Sequence, residues 1–455
     1  MPPPPAVAAR WIPREARWAP ALLVAIGLLT HLPALGHPPQ VTFDEVHWGK
    51  AVTAYCCTGA RQFDVHPPHG KLLLTAGAVL GGYRGGLSFD AIGQPYGPVS
   101  AAWLRAVPAA CGVVIPVLLF LLLRGIGASV PTAWLAGFLI ALDNAFVLET
   151  RTMLFDGVLV AATLGALVCL VAVPRAAGAR ALLWSAACGG LIGLAVGTKF
   201  TGLAVAAIAV AYAWWPASPW RRAVRTWTPL LVIAASAAAV YLGGWALHFA
   251  LLTAPGPGDA FHPTSGRFLT DLWVTHRTMF AVNAGMTATH PDASHPLTWL
   301  VMKVAPFFWT RDGAALYLAG NPVVWWGSSL LLVVIVVNTV LMRVTRLRLE
   351  PRAAQPMTWW LLFAFAVSYL PFFAVTRVLF LYHYLTPLVF ATAFVLLWLE
   401  AAGWIRPEAQ ARQRASYVGV QVAAVLGFVA MSPLTYGVSA GAYGAWLTAL
   451  IRSWR

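Results

Sequence analysis

The sequence predicts an all-α integral membrane protein with about eleven transmembrane helices and two long extracytoplasmic loops that bear short interfacial helices. Three observations support this prediction. Of the 455 residues, 60% are hydrophobic and only 10% are charged, whereas soluble domains average about 25% charged residues. Apolar runs of roughly 20 residues, the length that crosses a bilayer core, recur along the chain. The basic residues collect in alternate connections between these runs. A soluble enzyme and a disordered chain are therefore excluded.

Eleven apolar segments are long enough to cross a bilayer, and Pro, Gly and Arg mark their ends, as is typical of helix boundaries. A twelfth span or an interfacial helix is predicted at 436–451, and the break at Gly197-Thr198-Lys199 separates two short spans. The eleven spans are predicted near residues 18–36, 101–123, 131–148, 154–173, 181–197, 199–216, 228–252, 323–343, 357–375, 379–400 and 415–432.

The arginines determine the predicted orientation. With a cytoplasmic N-terminus, 16 of the 30 basic residues but only four of the 15 acidic residues fall on the cytoplasmic side, as the positive-inside rule requires. Because the basic residues are scattered between apolar runs, the net charge of +15 does not indicate nucleic-acid binding. The cytoplasmic set is Arg10, Arg14, Arg17, Arg124, Arg175, Arg180, Arg221, Arg222, Arg225, Arg343, Arg346, Arg348, Arg352, Arg406, Arg412 and Arg414.

Two long segments contain no span, and both are predicted on the extracytoplasmic side. Long loops of this kind are usually functional, so we expect the chemistry at the outer membrane–water interface. No structural disulfide is expected between the adjacent Cys56 and Cys57. The predicted divisions are a cytoplasmic tail (1–17), an N-terminal transmembrane catalytic module (18–252) that includes the first outer loop (37–100), a second outer loop (253–322) and a C-terminal transmembrane module (323–455).

Two adjacent acids, Asp44 and Glu45, follow the first predicted span. Thr42 and Glu45 have the spacing of a capping box, and on that interpretation the acids only begin the next helix. The alternative is that a carboxylate at the bilayer surface acts as a base.

A second polar cluster lies in the same loop, at residues 64–72, and reads Asp-Val-His-Pro-Pro-His-Gly-Lys-Leu. Its two prolines are expected to open a helix that runs along the interface through 71–81, with Lys71 in the first turns. The alternative is a rigid amphipathic loop whose long side chains extend toward water.

These two clusters carry a family resemblance. Residues 43–49 (Phe-Asp-Glu-Val-His-Trp-Gly) and 64–73 resemble motifs in the first outer loop of the protein O-mannosyltransferase family, which are integral-membrane glycosyltransferases with the GT-C fold. Trp48 and His69 depart from the family pattern without removing a charged residue. The second loop is too short for the MIR domain of the eukaryotic members, which points to a bacterial-type enzyme. Further similar stretches follow in the family's order at 105, 151–156, 197–200, 320–327 and 377–384.

The resemblance implies that mannose passes from polyprenyl-phosphate-mannose to Ser or Thr hydroxyls of secreted proteins, with inversion at the anomeric carbon. A hydroxyl is a weak nucleophile, so a carboxylate must accept its proton. Asp44 is predicted as this base, and Glu45 as a group that orients it or contacts the acceptor. Asp156 is predicted as a supporting acid, with a structural ion pair to Arg151 as the alternative.

Negative charge grows on the lipid phosphate as the sugar leaves, and fixed donors at that place stabilise the transition state. Arginine suits this task because its guanidinium group can donate two hydrogen bonds to a phosphate and stays protonated. The alternative for each cation at a span end is that it only reaches toward the interface. The predicted donor phosphate-binding residues are Lys71, Arg105, Arg377, Tyr382, His383, Arg151 and Lys199.

The acceptor or sugar side is predicted to include His66, His290 and Trp299. The tryptophans of this region are interpreted first as interfacial anchors, with sugar-stacking platforms as the alternative, and they are Trp299, Trp309, Trp325 and Trp326. No cofactor or divalent metal is expected, because paired basic residues can replace the cation and the histidines lack ligand spacing.

The predicted partners are a polyprenyl-phosphate sugar, membrane lipids and unfolded secreted acceptors, with the Sec translocon as their source. The predicted location is the bacterial inner membrane, with the active site on the extracytoplasmic face. One alternative is a transferase of the same architecture that moves a sugar to a lipid, as lipid-A aminoarabinose transferases do. A transporter or flippase is less favoured, because the ionisable residues lie at one face and no inverted repeat is visible.

Overall fold

The computed structural model describes residues 16–220, 224, 226–345, 356–405 and 411–454. Most of the predicted N-terminal tail, residues 1–15, therefore lies outside the described residues. The same is true of several arginines in the predicted cytoplasmic connections, namely Arg221, Arg222, Arg225, Arg346, Arg348, Arg352 and Arg406.

The N-terminal half is helical throughout. A π-helical turn at Ala54–Thr58 continues α2, and a 3-10 turn at Phe200–Gly202 leads into α10. The helices are α1 (Trp18–His31), α2 (Glu45–Thr53), α3 (His69–Leu80), α4 (Ala101–Leu104), α5 (Ala106–Gly125), α6 (Val130–Ala141), α7 (Asn144–Arg151), α8 (Asp156–Ala172), α9 (Ala179–Thr198), α10 (Leu203–Trp214) and α11 (Thr228–Leu251).

The C-terminal half adds helices and one antiparallel hairpin, in which Trp309 pairs with Leu316. A 3-10 turn at Leu381–Tyr384 precedes α16. The elements are α12 (Phe268–Gly285), α13 (Pro296–Trp299), β1 (Phe307–Arg311), β2 (Ala314–Tyr317), α14 (Pro322–Thr345), α15 (Pro356–Tyr369), α16 (Leu385–Ala401), α17 (Ala411–Tyr436) and α18 (Gly441–Ser453).

Helices occur at all eleven predicted spans, which confirms the membrane-protein prediction, but they differ in length. Within the described residues, eight helices are long and apolar enough to cross a membrane, and α6 with α7 makes a ninth if this pair, bent by 56°, is one span. The spans predicted at 18–36 and 199–216 correspond to shorter helices, Trp18–His31 and Phe200–Trp214. The predicted twelfth segment overlaps α18, which has 13 residues and ends two residues beyond it.

The bend between α6 and α7 is held by polar side chains, because a helix broken inside a bilayer must find partners for its free backbone groups. Asp143 caps α7 by accepting a hydrogen bond from the Phe146 amide at 3.1 Å, and its other oxygen accepts one from the Asn321 amide at 2.9 Å. The Asn321 side chain donates to the carbonyl of Leu142. These bonds fix the direction in which α7 approaches the loops.

Two helices form the centre of the bundle. The α8 span is 89% buried inside the protein and the span at Leu381–Ala401 is 72% buried, whereas only 11% of α11 is buried. The helix α8 packs between α5 and α9, and α16 packs against α6, α14 and α15. Asp156 begins α8 and Tyr382 lies just before α16, so the central helices bring these two residues to the same end of the bundle.

The two long loops meet over this end, which we call the loop face. The Phe43 amide donates to the Phe308 carbonyl at 3.0 Å, and the Trp309 indole donates to the Gln40 side chain at 2.6 Å. Both loops therefore lie on one face of the bundle.

The structure corrects the expectation about cysteines. Cys56 and Cys57 are joined by a disulfide within the π-helical turn. The expectation rested on the rarity of bridges between neighbours, and the local backbone of this turn accommodates one.

Candidate active site

A cavity of ≈ 570 Å³ opens at the loop face. Both long loops line it, together with the segment that leads into α16. It brings together six of the predicted site residues, namely Asp44, His66, Lys71, His290, Arg377 and Tyr382.

The turn before α2 sends two neighbouring acids in opposite directions. Phe43 has a φ of +37°, in the left-handed region that side chains rarely adopt. Its ring stacks on Phe308 with centroids 4.3 Å apart, and its amide bonds to the carbonyl of the same residue. These contacts hold the strained turn, as is common at functional sites. Asp44 then lines the cavity, while Glu45 is fully buried behind it.

The carboxylate of Asp44 has no hydrogen bond or ion pair within the part of the chain that the structure describes. Burial raises its pKa from 3.8 to about 6, and His47 and Lys199 offset part of this effect through their charge. Asp156 and Asp64 act in the same direction as burial. A carboxylate with a pKa near the working pH and a free face toward a cavity is suited to accept a proton.

Glu45 and Arg105 form a buried pair, and both side chains have 0% exposure. The guanidinium binds Glu45 through two bonds, at 2.8 and 3.0 Å, and donates to the carbonyls of Pro38 and Gln40. Burial alone would raise the pKa of Glu45, but Arg105 outweighs it, so this pKa lies below its usual value.

These contacts correct two predictions. Glu45 does not reach the cavity, and Arg105 does not present its donors to a phosphate there. The capping-box interpretation is partly confirmed, since the Thr42 amide donates to Glu45 at 2.8 Å. The second half of that motif is missing, because the Thr42 hydroxyl has no partner among the described residues.

The second motif contributes a lysine that is already paired. The Lys71 ammonium donates to Asp64 at 2.7 Å and to the His66 carbonyl at 2.8 Å. Burial would raise the pKa of Asp64, but Lys71 and His66 lower it below its usual value. Burial lowers the pKa of His66 to about 3, so this imidazole is neutral. Asp64, which the sequence analysis did not single out as a site residue, thus shares the cavity wall with Lys71.

Asp156 pairs with Lys199, and the predicted alternative of an Arg151 partner is wrong. The Lys199 ammonium lies 2.7 and 2.6 Å from the two carboxylate oxygens. It also lies 5.0 Å from the centroid of the Tyr382 ring and 5.2 Å from that of Phe155, which are cation–π distances. This pair borders a second, smaller cavity that also contains His383, and Tyr382 lines both cavities.

Arg377 is the predicted phosphate ligand whose surroundings leave it most available. It is half-buried, lines the main cavity and has no hydrogen bond or ion pair within the described residues. His383 stacks on Tyr382 at 4.6 Å, and its Nδ1 bonds within its own turn to Phe380 at 2.9 Å.

Arg151 lies outside the cavity, which corrects its predicted role. Its guanidinium donates to the carbonyls of His31 at 2.5 Å and Ala34 at 2.9 Å, at the end of α1. It is also 4.7 Å from the centroid of the Tyr436 ring. Cations are favourable at the C-terminal end of a helix, so Arg151 holds α1 against α7.

Trp299 is fully buried and does not line the cavity, so its predicted place on the acceptor side is also corrected. Its indole donates to Ser294 at 2.8 Å, and its ring stacks on His383 at 5.9 Å. Trp309 and Trp325 are buried as well, so their interpretation as interfacial anchors is wrong. His290 does line the cavity, where its ring lies 5.1 Å from Phe380.

Sequence reasoning missed Glu149. This residue lies in α7, is 1% exposed and has no hydrogen-bond partner for either carboxylate oxygen among the described residues. Its nearest charged neighbours include Asp156, Lys199 and Asp44. An acid inside an apolar span is by itself a signal of function, and that signal was available two residues before Arg151.

Among the described residues, no three His, Cys, Asp or Glu side chains form a group that could hold a metal ion. The expectation that no divalent metal is needed stays a prediction.

Family comparisons cover most of the chain. Residues 21–254 match the model "Dolichyl-phosphate-mannose-protein mannosyltransferase", and residues 268–454 match "C-terminal four TMM region of protein-O-mannosyltransferase". The chain is 32% identical over 254 residues to Protein O-mannosyltransferase 1 of Drosophila melanogaster, which covers 52% of this chain and 28% of that protein. It is 30% identical over 242 residues to Dolichyl-phosphate-mannose--protein mannosyltransferase 4 of Saccharomyces cerevisiae, covering 50% and 32%.

The matched region therefore spans about a third of the length of these curated relatives. Among solved structures, the fold is similar to the Saccharomyces cerevisiae protein O-mannosyltransferase Pmt1-Pmt2 complex bound to the sugar donor. The TM-score is 0.84 at 16% identity, over 95% of this chain and 91% of that one. ArnT from Cupriavidus metallidurans shares the fold with a TM-score of 0.50 at 14% identity, over 97% and 76%.

Proposed function

The chain belongs to the dolichyl-phosphate-mannose-protein mannosyltransferase family, and on that basis we propose that it transfers mannose from a polyprenyl-phosphate donor to Ser or Thr hydroxyls of proteins. The single observation that carries the proposal is the placement of Asp44. Its carboxylate faces the cavity without a partner among the described residues, and its pKa is raised to about 6.

In the proposed reaction, Asp44 accepts the proton of the acceptor hydroxyl as the hydroxyl oxygen attacks the anomeric carbon. The bond between that carbon and the phosphate oxygen breaks, and its electron pair leaves with the lipid phosphate. One displacement inverts the anomeric configuration and needs no carboxylate nucleophile. Asp156 does not react in this step, and its ion pair with Lys199 holds that ammonium group beside the site.

The leaving phosphate is proposed to lie against Arg377 and the Tyr382 hydroxyl, with Lys199 within reach. Arg377 supports this role because it lines the cavity and has no ion pair within the described residues. Lys71 is paired with Asp64 at 2.7 Å, so we propose that it shapes the cavity wall beside His66 rather than binding phosphate. His290, whose ring lies 5.1 Å from that of Phe380, is proposed on the acceptor side.

The loop face is proposed to be extracytoplasmic, in a bacterial plasma membrane, because the arginine distribution places the opposite connections in the cytoplasm. Acceptors would then be secreted proteins that arrive unfolded from the Sec translocon. The alternative acceptor is a lipid, which the family match favours less.

The test compares the purified wild type with Asp44→Asn for transfer of labelled mannose from polyprenyl-phosphate-mannose to a Ser/Thr-rich peptide. The expected loss in the variant is about 10²-fold or more, the scale of a missing general base. Asp312→Asn, in the exposed hairpin turn, is the matched control and should keep the wild-type rate. Transfer only to a lipid acceptor would select the alternative, and an unchanged rate for Asp44→Asn would refute the assignment of the base.

A further inference from the structure

Glu149 is a buried acid that the proposed mechanism does not use. It lies in α7, next to the point where α8 begins with Asp156. Its exposed fraction is 1%, and neither of its carboxylate oxygens accepts a hydrogen bond from any described residue. A buried carboxylate left without donors is costly as an anion, so this residue needs an explanation.

Among the described residues, the charged groups that act most strongly on Glu149 include one cation. They are Asp156 on α8, Lys199 at the end of α9 and Asp44 before α2, and the Tyr382 hydroxyl group faces it from the turn before α16. The single cation, Lys199, already binds both oxygens of Asp156, at 2.7 and 2.6 Å. No ammonium or guanidinium among these neighbours is left to neutralise Glu149.

Two carboxyl groups side by side can be bonded only if one of them carries a proton. Asp156 is held as an anion by its two bonds to Lys199. The proton therefore belongs on Glu149, and Asp156 is the neighbouring carboxylate that can accept its hydrogen bond.

We propose that Glu149 is a positioning residue that acts as a neutral carboxylic acid and donates its hydroxyl hydrogen to Asp156, so that Lys199 can turn toward the lipid phosphate. This inference rests on the proposed function for its second half, the phosphate. The first half, the neutral acid, stands on the burial of Glu149 and on its lack of a hydrogen-bond partner among the described residues.

A hydrogen bond from Glu149 would stabilise the Asp156 carboxylate when Lys199 moves toward the phosphate. As mannose leaves, negative charge on the phosphate grows, and Lys199 is attracted away from Asp156. Without Glu149, Asp156 would lose its only ion-pair partner among the described residues, in a buried site. With the Glu149 hydrogen bond in place, Asp156 keeps a donor while the ammonium moves. Glu149 keeps its proton throughout, and the proton of the acceptor still goes to Asp44.

An ionised Glu149 would have the opposite effect. Asp44, Asp156 and Glu149 would place three negative charges around one lysine, and the cluster would repel an anionic donor. The neutral acid leaves Asp156 and Lys199 as a balanced pair, which makes binding of a phosphate at this place less costly.

The first experiment compares Glu149→Gln with Glu149→Leu in the transfer assay across pH. The Gln amide is neutral and can donate to Asp156, so this variant should retain kcat within about threefold and keep the wild-type pH profile. The Leu side chain fills the space without a donor, and kcat should fall by about tenfold to a hundredfold, the value of a hydrogen bond to a charged group. The donor KM is expected to change less than kcat. Glu400→Gln, on α16 far from the cavity, is the matched control.

Several results would overturn the inference. If Glu149→Gln loses as much activity as Glu149→Leu, or shifts the pH profile, Glu149 is ionised in the working enzyme. If Glu149→Leu keeps the wild-type kcat, its hydrogen bond has no part in positioning Lys199. Melting temperatures in detergent identify a variant that fails to fold, and in that case the spectroscopic test decides.

The second experiment reads the proton directly and needs no transfer. Infrared difference spectra of wild type minus Glu149→Gln, recorded well above the pKa of Asp44, should contain the C=O stretching band of a protonated carboxyl. Absence of that band overturns the neutral acid. If the wild type transfers no mannose, the proposed function fails, while the band still decides the protonation of Glu149.

Discussion

At the scale of single residues, the site depends on how neighbouring acids are separated. Asp44 faces a cavity and has no partner among the described residues, while Glu45, the next residue, is closed in by Arg105, Tyr96 and two backbone amides. The same carboxyl chemistry therefore gives opposite pKa shifts, upward for Asp44 and downward for Glu45. Only the residue with the raised pKa is free to exchange a proton with a substrate.

The pH dependence of transfer follows from Asp44. A base works in its deprotonated form, so kcat/KM should rise with pH, reach half of its plateau at about pH 6, the pKa of Asp44, and level off well above that pH. Measuring initial rates across this range with a constant-ionic-strength buffer checks the prediction. A rising limb centred near the ordinary aspartate value of 3.8 would contradict it.

The effect of the same group on stability has the opposite sign. Because the folded-state pKa is raised from 3.8 to about 6, the folded protein binds this proton more tightly than the unfolded chain. The contribution of Asp44 to the free energy of unfolding is therefore fully present below about pH 4, and it is lost as the pH rises through about 6. Keeping this carboxylate buried and ionised therefore lowers the free energy of unfolding at neutral pH.

At the scale of elements, buried ion pairs join segments that the chain separates. Arg105, between α4 and α5, ties down the start of α2 through Glu45 and the loop after α1 through the carbonyls of Leu35, Pro38 and Gln40. The turn at Phe43 depends on this anchoring, because Glu45 is two residues away. Arg105 therefore positions Asp44 through the backbone.

We expect Arg105→Leu to damage folding more than donor binding. Removing the guanidinium leaves the Glu45 carboxylate buried without its cation, which costs about 3–5 kcal/mol. Thermal unfolding in detergent measures this loss, and the double variant Glu45→Gln/Arg105→Leu should recover part of it. Arg311→Leu, at an exposed hairpin position, is the control. A stable Arg105→Leu protein with a raised donor KM would instead support the phosphate-binding role that the sequence predicted.

At the scale of the whole molecule, the fold brings two distant loops to one end of a helical bundle. Phe43 of the first loop contacts Phe308 of the second and Tyr382 before α16, with ring centroids 4.3 and 6.1 Å apart. The cavity is therefore formed by three parts of the chain, and it lies at the ends of α8 and α16 rather than midway along them.

The orientation of this face can be measured in intact cells. Thr264 is exposed in the second long loop, and Ala177 is exposed between α8 and α9 at the opposite end of the bundle. Each residue is replaced by cysteine in a separate variant, Thr264→Cys or Ala177→Cys. A membrane-impermeant thiol reagent added outside should label Thr264→Cys and leave Ala177→Cys unlabelled until the cells are opened. The reverse pattern would place the cavity in the cytoplasm and refute the proposed use of secreted acceptors.

The sequence by itself determined the membrane class, the positions of the helices and the family motifs, and it predicted Asp44 as the base. These depend on composition, on runs of apolar residues and on contiguous motifs, which are local properties of the chain. Tertiary structure decided which charges pair. Glu45 meets Arg105 across 60 residues and Asp156 meets Lys199 across 43. Sequence spacing therefore could not reveal that Arg105 is paired with Glu45 and so turned away from a phosphate. It also could not reveal that Asp156 pairs with Lys199 and not with Arg151. Glu149 became visible only when helix packing removed its oxygens from water, because burial and the absence of a partner are properties of the folded chain.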